Sequence, residues 1–258
     1  MSINPSRSGF SPSSYSNVLI ASCILLFYFF CIPVLAAQSA APRFAEADRL
    51  YADRANLTSA QRAAAIWQQA LGGDAKNFEA AWKLARADYW LGGHTEEQGR
   101  RAIYENGIDA ARKAIAVQPG RPEGHFWLAA NMGALAEFYG LRQGIKYRKP
   151  IKEALETVLR IDPAFLQGSA DRALGRWYFK VPGLFGGSRK QAEAHLRASL
   201  NYNPSSTATH FFLAELLLDE GRKSEAHAEL QKVLDAPLDP EFAPEAQEFK
   251  NKARALLK

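Results

Sequence analysis

Leu174-Gly175-Arg176-Trp177-Tyr178, answered by Ala192, Leu196, Ser199 and Pro204, and then Leu213-Ala214, Leu217, Gly221, Ala226, Leu230 and Val233, decide the fold. Large apolar residues recur at helical spacing, and small residues stand where two helix backbones approach. A proline or glycine closes each half. This cadence predicts antiparallel helix pairs that stack on the next pair, because one pair alone cannot bury its apolar faces. Working outward, the same pattern continues to about Arg43. The first unit runs from Phe44 to about Ala75 with Tyr51, Ala63, Trp67 and Ala70, and its linker is Leu71-Gly72-Gly73-Asp74. The second has Trp82, Leu84-Ala85, Tyr89 and Gly92-Gly93, returning through Tyr104, Ala110, Ala111 and Ala114. The third has Phe126, Leu128-Ala129 and Met132, returning through Ala154, Leu155 and Val158. The last pair covers Thr207 to about Leu234, giving about five units. A final amphipathic helix, about Pro244 to Leu257, is read as the cap of the array, with Phe249, Ala253, Leu256 and Leu257 as its apolar stripe.

Pro119, Pro163 and Pro204 stop three return helices, since proline lacks the amide hydrogen and collides with the preceding turn. The units are longer than the roughly 34-residue unit of this repeat class. The excess is expected in longer helices or in loops, near His94 to Arg101, near Gly140 to Pro150 and at Val181 to Gly187. No alternating strand pattern persists. The expected fold is therefore all-α, a right-handed solenoid of antiparallel helix pairs over residues 44–258 with a C-terminal capping helix.

Residues 18–35 are apolar and are followed by Ala36, Ala37, Gln38, Ser39, Ala40 and Ala41. An apolar core before small residues reads as a secretory signal, here residues 1–37, with a short linker over 38–43. The rival reading is an uncleaved anchor, because the run is about the shortest that spans a bilayer. Both readings place the folded part across a membrane from the cytoplasm, periplasmic or secreted after cleavage, or anchored in the inner membrane and facing the periplasm. The two cysteines, Cys23 and Cys31, lie inside that run. A processed chain then carries no thiol nucleophile, no zinc-thiolate site and no disulfide.

Among 258 residues, 32 are basic and 27 acidic, a formal net charge of +5. No dense basic run accompanies that excess, which argues against a nucleic-acid binder. The histidines His94, His125, His195, His210 and His227 form no HExxH and no i,i+4 pair, so no metal site is expected. No G-x-S-x-G elbow is present. Gly183-Leu-Phe-Gly-Gly-Ser-Arg-Lys follows a helix rather than a strand and lacks the Gly-Lys-Ser/Thr ending of a phosphate loop. The expectation is a non-enzyme without cofactor.

The first helix of each pair is expected to line a concave face. Counting from the signature places Trp82, Arg86, Tyr89 and Trp90 there from the second unit. The third contributes Phe126, Ala130 and Gly133, and the fourth Arg172, Arg176 and Phe179. Rings supply area and guanidinium groups bind carboxylates with paired hydrogen bonds, a mixture suited to an extended peptide or an acidic apolar ligand. The competing reading makes the rings ordinary inter-helix core and the arginines solvated. Leu184 and Phe185, in the Val181–Gly187 loop, are either an apolar plug folded back on the pair or an exposed contact for a partner.

The repeat pattern resembles the tetratricopeptide-repeat superfamily. Four longer segments occur in order: Tyr104-Glu-Asn-Gly-Ile-Asp-Ala-Ala-Arg-Lys-Ala-Ile, Trp127-Leu-Ala-Ala-Asn-Met-Gly, Lys149-Pro-Ile-Lys-Glu-Ala-Leu and Lys180-Val-Pro-Gly-Leu-Phe-Gly-Gly-Ser. Together they resemble the bacterial TatT-like family, the T component associated with some TRAP transporters. That resemblance implies a periplasmic protein that works with a solute-binding partner protein, can form a homo-oligomer and holds an apolar ligand in a central pore. Members can be lipid-anchored, and this chain departs from them by having its apolar stretch after Cys23 rather than before it. A more distant likeness, to eukaryotic microtubule-dynamics regulators, shares the repeat layout, while the apolar N-terminal segment points away from a cytoskeletal role.

Overall fold

In the computed structural model, residues 1–2 and 44–258 are described, and the expected signal or anchor lies outside them. The helical unit spans Glu46–Lys258. Its first described helix, α1, covers residues 44–52. There follow α2 (Leu57–Gly73), α3 (Phe78–His94), α4 (Glu97–Val117), α5 (Pro122–Tyr139) and α6 (Leu141–Ile161). The chain continues with α7 (Phe165–Lys180), α8 (Arg189–Leu200), α9 (Thr207–Asp219), α10 (Lys223–Asp235) and α11 (Ala243–Leu256). Consecutive helices pack as pairs, α3 with α4 through α9 with α10, α11 lies against the last pair, and Tyr51 of α1 meets Trp67 of α2 with ring centroids 5.9 Å apart. The all-α expectation holds.

Local chemistry starts the helices where the sequence requires. The side chains of Asn56, Asn77, Ser188 and Ser206 accept hydrogen bonds from backbone amides in the first turns of α2, α3, α8 and α9. Each satisfies one of the donors that a helix start leaves unpaired. Small residues then set how closely helices meet. Ala60, Ala63, Ala80, Ala111, Ala114, Ala192, Ala214 and Ala226 are fully buried. Gly175 of the signature marks the close approach of α7 and α8, since a Cβ there would sit 2.6 Å from Leu196 Cγ. The buried mass of each pair is Trp67, Tyr104, Leu135 with Leu155, Leu174 with Leu196, and Leu213 with Leu230.

The odd-numbered helices are also neighbours of one another, α3 with α5, α5 with α7, α7 with α9 and α9 with α11. They therefore form a continuous inner layer, and the even-numbered helices lie behind it. Of the two alternatives for the excess near Gly140 to Pro150, a longer helix or a loop, the structure has the helix: Gly140, at φ +72°, is a single-residue hinge, and α6 begins at once and carries Pro150 inside it. The extra length sits in α4 and α6, each 21 residues. Likewise Gly72 and Gly73 end α2 rather than form a linker, because Asp74 is the residue that leaves helical geometry.

Candidate functional site

The inner layer surrounds a central cavity of about 1750 Å3. Each helix contributes a stripe at three- and four-residue spacing, as a single face of an α-helix must. The stripes are Arg86, Tyr89, Trp90 and Gly93 on α3; Phe126, Ala130, Gly133 and Glu137 on α5; Arg172, Arg176 and Lys180 on α7; and Phe211, Phe212 and Glu215 on α9. Phe242, Glu245 and Phe249 complete it from the C-terminal segment. Small residues at Ala130, Gly133 and Ala134 leave the volume that the rings surround.

The C-terminal segment does more than cap α9 and α10. Arg54, in the turn after α1, donates from Nε to Glu245 Oε1 at 2.8 Å and from Nη2 to Glu245 Oε2 at 2.5 Å. Its Nη2 also reaches the Glu241 carbonyl oxygen, while its guanidinium lies over the rings of Tyr51 and Trp90. His94, stacked on Trp90 with centroids 3.8 Å apart, meets Glu248 Oε1 at 2.6 Å through Nε2. That contact raises the His94 pKa against the opposing effect of burial, and it lowers the Glu248 pKa. The last helix is thus joined to the first repeats, and the array closes around the cavity by polar contacts.

A third contact to this segment comes from a strained turn. Leu166 (φ 44°), Gln167 (φ 58°) and Gly168 (φ 75°) are left-handed at the start of α7. Two of the three carry side chains, for which that conformation costs about 1–2 kcal/mol each. The turn brings Leu166 and Gln167 to the cavity wall, where Gln167 Nε2 donates to Asp239 Oδ2 at 3.1 Å. Asn203 donates to the other end of the same amide.

The cations of the wall differ in how they are matched. Arg176 is held by Glu137 (Nε to Oε1, 2.8 Å) and Glu215 (Nη1 to Oε2, 2.9 Å) and lies 4.4 Å from the Phe212 ring centroid. Arg86 is laid on Tyr51 at 4.1 Å and on Trp82 at 5.0 Å, with Asp48 4.0 Å away, and burial lowers its pKa. Arg172 has neither a hydrogen bond nor an ion pair with any described residue. Burial pushes it down to about 10, with Tyr89 the group that opposes the shift. It remains cationic at neutral pH. Tyr89 is 41% exposed, towards the cavity.

Of the residues expected on the concave face, Arg86, Tyr89, Trp90, Phe126, Arg172 and Arg176 line the cavity, with Ala130 and Gly133. Trp82 and Phe179 are corrections. Trp82, in the first turns of α3, does not line the cavity and instead packs under Arg86 and Lys83. Phe179 is one helical step, about 100°, off the Arg172–Arg176–Lys180 line, so it turns aside. The loop pair divides: Leu184 is 90% exposed, whereas Phe185 lines the cavity with Arg148 over its ring at 5.1 Å. Phe185 alone is therefore the folded-back residue. The sequence reading missed Arg54, Gln167, Phe211, Phe212 and the α11 carboxylates. Only Gly168 near Pro163 signalled the turn, and nothing local signals a contact between residues 54 and 245. Among the described residues no helix is long and apolar enough to cross a membrane, and no three His, Cys, Asp or Glu side chains converge as metal ligands.

The family model of regulator of microtubule dynamics proteins 1-3 matches residues 43–258. The chain is 28% identical over 184 residues to regulator of microtubule dynamics protein 3 of Mus musculus, covering 69% of this chain and 39% of that protein. It is 25% identical over 111 residues to regulator of microtubule dynamics protein 1 of Bos taurus, covering 42% of this chain and 34% of that protein. The matched region therefore spans well under half the length of these curated relatives. Among solved structures, TTC0263, a tetratricopeptide-repeat protein of Thermus thermophilus, superposes with a TM-score of 0.63 at 22% identity. That match covers 84% of this chain and 98% of the other, and it carries the fold alone. The matches support the tetratricopeptide-like fold and do not extend to the transporter T component. The chain belongs to the regulator of microtubule dynamics protein 1-3 family.

Proposed function

We propose that this member of the regulator of microtubule dynamics protein 1-3 family is a non-catalytic binding module of the cell envelope. Its ring of helix pairs engages a partner protein and holds an apolar or acidic body in the central cavity. The observation that carries the reading is the cavity itself: about 1750 Å3, ringed by Tyr89, Trp90, Phe126, Phe211, Phe212 and Phe249. The curvature of stacked helix pairs creates a concave surface, and one lined by this many rings offers apolar area to an occupant. The tetratricopeptide-like fold supports partner binding, and the regulatory names of the relatives are in keeping with a scaffold rather than a catalyst. The envelope location rests on the apolar run at residues 18–35 and the small residues after it.

Native mass spectrometry of the protein purified from its own cells tests this reading. A retained protein or small molecule supports it, and the N-terminal mass tests export with cleavage near residue 37. A full-length, empty monomer overturns both. A second reading, a solute-handling partner of a transporter, is favoured by the four segments from Tyr104 to Ser188 and by the same cavity. Co-purification of a solute-binding protein would distinguish it from a general envelope scaffold.

A further inference from the structure

We infer that Arg172 is the anchoring cation for a ligand with a single carboxylate and an apolar body that lies against the aromatic wall; this rests on the reading that the cavity holds an occupant. The argument is one of charge matching. Arg54 is matched by Glu245, and Arg176 by Glu137 and Glu215. Arg86 has Asp48 at 4.0 Å and rings on either side. Arg172 lies on the same wall, one helical turn before Arg176, with no carboxylate and no ring against it among the described residues. Arg172 is half-buried and lines the cavity, and a charge held partly away from water without a counter-charge is a cost to the fold. Arg54 and Arg176 are closely matched, Arg86 is held mainly by its rings and keeps a buried Nε without a partner, and Arg172 alone of the four is left for an anion that arrives from outside. The remaining wall cations answer a different need: Lys180 has Glu215 at 3.9 Å, Arg148 covers Phe185, and Lys252 is exposed beside Phe249. One bare guanidinium calls for one negative charge, and its planar fork suits a carboxylate held by two parallel hydrogen bonds. Around it, Tyr89, Trp127 and Phe126 offer apolar area for the rest of the molecule.

The test uses the full chain and its own fluorescence, since Trp90, Trp127 and Trp177 line the cavity. Tryptophan quenching by 1-pyrenebutyrate is compared with quenching by the neutral 1-pyrenebutanol. The acid is expected to bind at least about tenfold tighter, one unit of the tenfold scale that 1.4 kcal/mol represents. Arg172→Leu is expected to erase that preference while leaving alcohol binding in place. Arg172→Lys, which keeps the charge and loses the fork, should retain part of it. Equal binding of acid and alcohol by the native chain, or an unchanged preference in Arg172→Leu, overturns the anchor and leaves the cavity reading standing. If neither compound quenches, the cavity takes no such body, and both readings fall. Retained alcohol binding and an unaltered unfolding midpoint show that each variant is folded.

Discussion

Two sides of the cavity use the same residue in opposite ways. At the closing seam, the Arg54 guanidinium is only 5% exposed and is gripped by both oxygens of Glu245. On the α7 wall, Arg172 is half-buried beside the cavity and has no counter-charge among the described residues. The seam is a solved electrostatic problem and the wall an open one. A matched buried pair can be near neutral in net stability but is costly to break, whereas an unmatched charge is a standing cost. The seam thus holds the ring together, and the wall keeps an unmet attraction available to a ligand. The packing differs in the same direction. α9 buries eight of its residues, while α11 buries only Ala246 and Ala253 and depends on its polar contacts.

The comparison can be broken most forcefully on the wall. Gly175→Ala would place a Cβ 2.6 Å from Leu196 Cγ and 3.1 Å from the Ala192 carbonyl oxygen. Urea unfolding should show a loss of about 3 kcal/mol, the upper end for overpacking; a loss under about 1 kcal/mol would mean that α7 and α8 separate easily and that the wall is not rigid. At the seam, Arg54→Ala leaves Glu245 without its partner. With Glu245 32% exposed, the expected cost is about 2 kcal/mol, less than for a fully buried pair. Amide hydrogen exchange should accelerate across Ala243–Leu256 and not across Thr207–Asp219; uniform acceleration would refute a local latch. Arg172→Leu should change stability in the opposite direction, by about +1 kcal/mol, since it removes an unmatched charge. A destabilised variant would mean that the guanidinium already has a partner.

The smallest effect is the pH response of the seam. The folded-state pKa of His94 is raised above its ordinary 6.5, so its contribution is complete below 6.5 and is lost as pH rises through the folded value. Glu248 is lowered below its ordinary 4.5, so its contribution is present above 4.5 and is lost as pH falls through the folded value. The pair therefore stabilises most between those limits. The difference in unfolding free energy between the native chain and His94→Gln should be largest at about pH 5–6 and shrink above neutrality, by under about 1 kcal/mol for so exposed a pair. Asp88, whose buried carboxyl is pushed up to about 7, titrates in both proteins and cancels in the difference. A difference that grows with pH would exclude the ion pair.

Much of this was legible from residue spacing. Leu174-Gly175 with Ala192 and Leu196, and Leu213-Ala214 with Ala226 and Leu230, specify helix pairs because a period near 3.6 and a small residue at the contact leave little alternative. The stripe Arg86, Tyr89 and Arg172, Arg176 follows from the same period once the signature sets its phase. Phe179 and Trp82 were misplaced because sequence counting gives an angle around a helix axis but not how far along that axis the cavity extends, nor the exact edge of its face. The helical course of Leu141–Ile161 stayed undecided in the sequence because Pro150 and the glycines before it suit a loop as well as a helix, and tertiary packing holds the turn around the proline in place.

By itself the sequence determined the repeat class, the helix pairs, the final helix and part of the inner face, since all of these are set by contacts within about forty positions along the chain. Only the tertiary structure decided that the array closes. Arg54 and Glu245 are 191 residues apart, and their meeting depends on the small rotation that each pair adds to the last, a sum that no local motif encodes. The same closure separates the arginine that is matched from the one that is bare, because whether Arg172 meets a carboxylate depends on which helix face the completed turn brings opposite it.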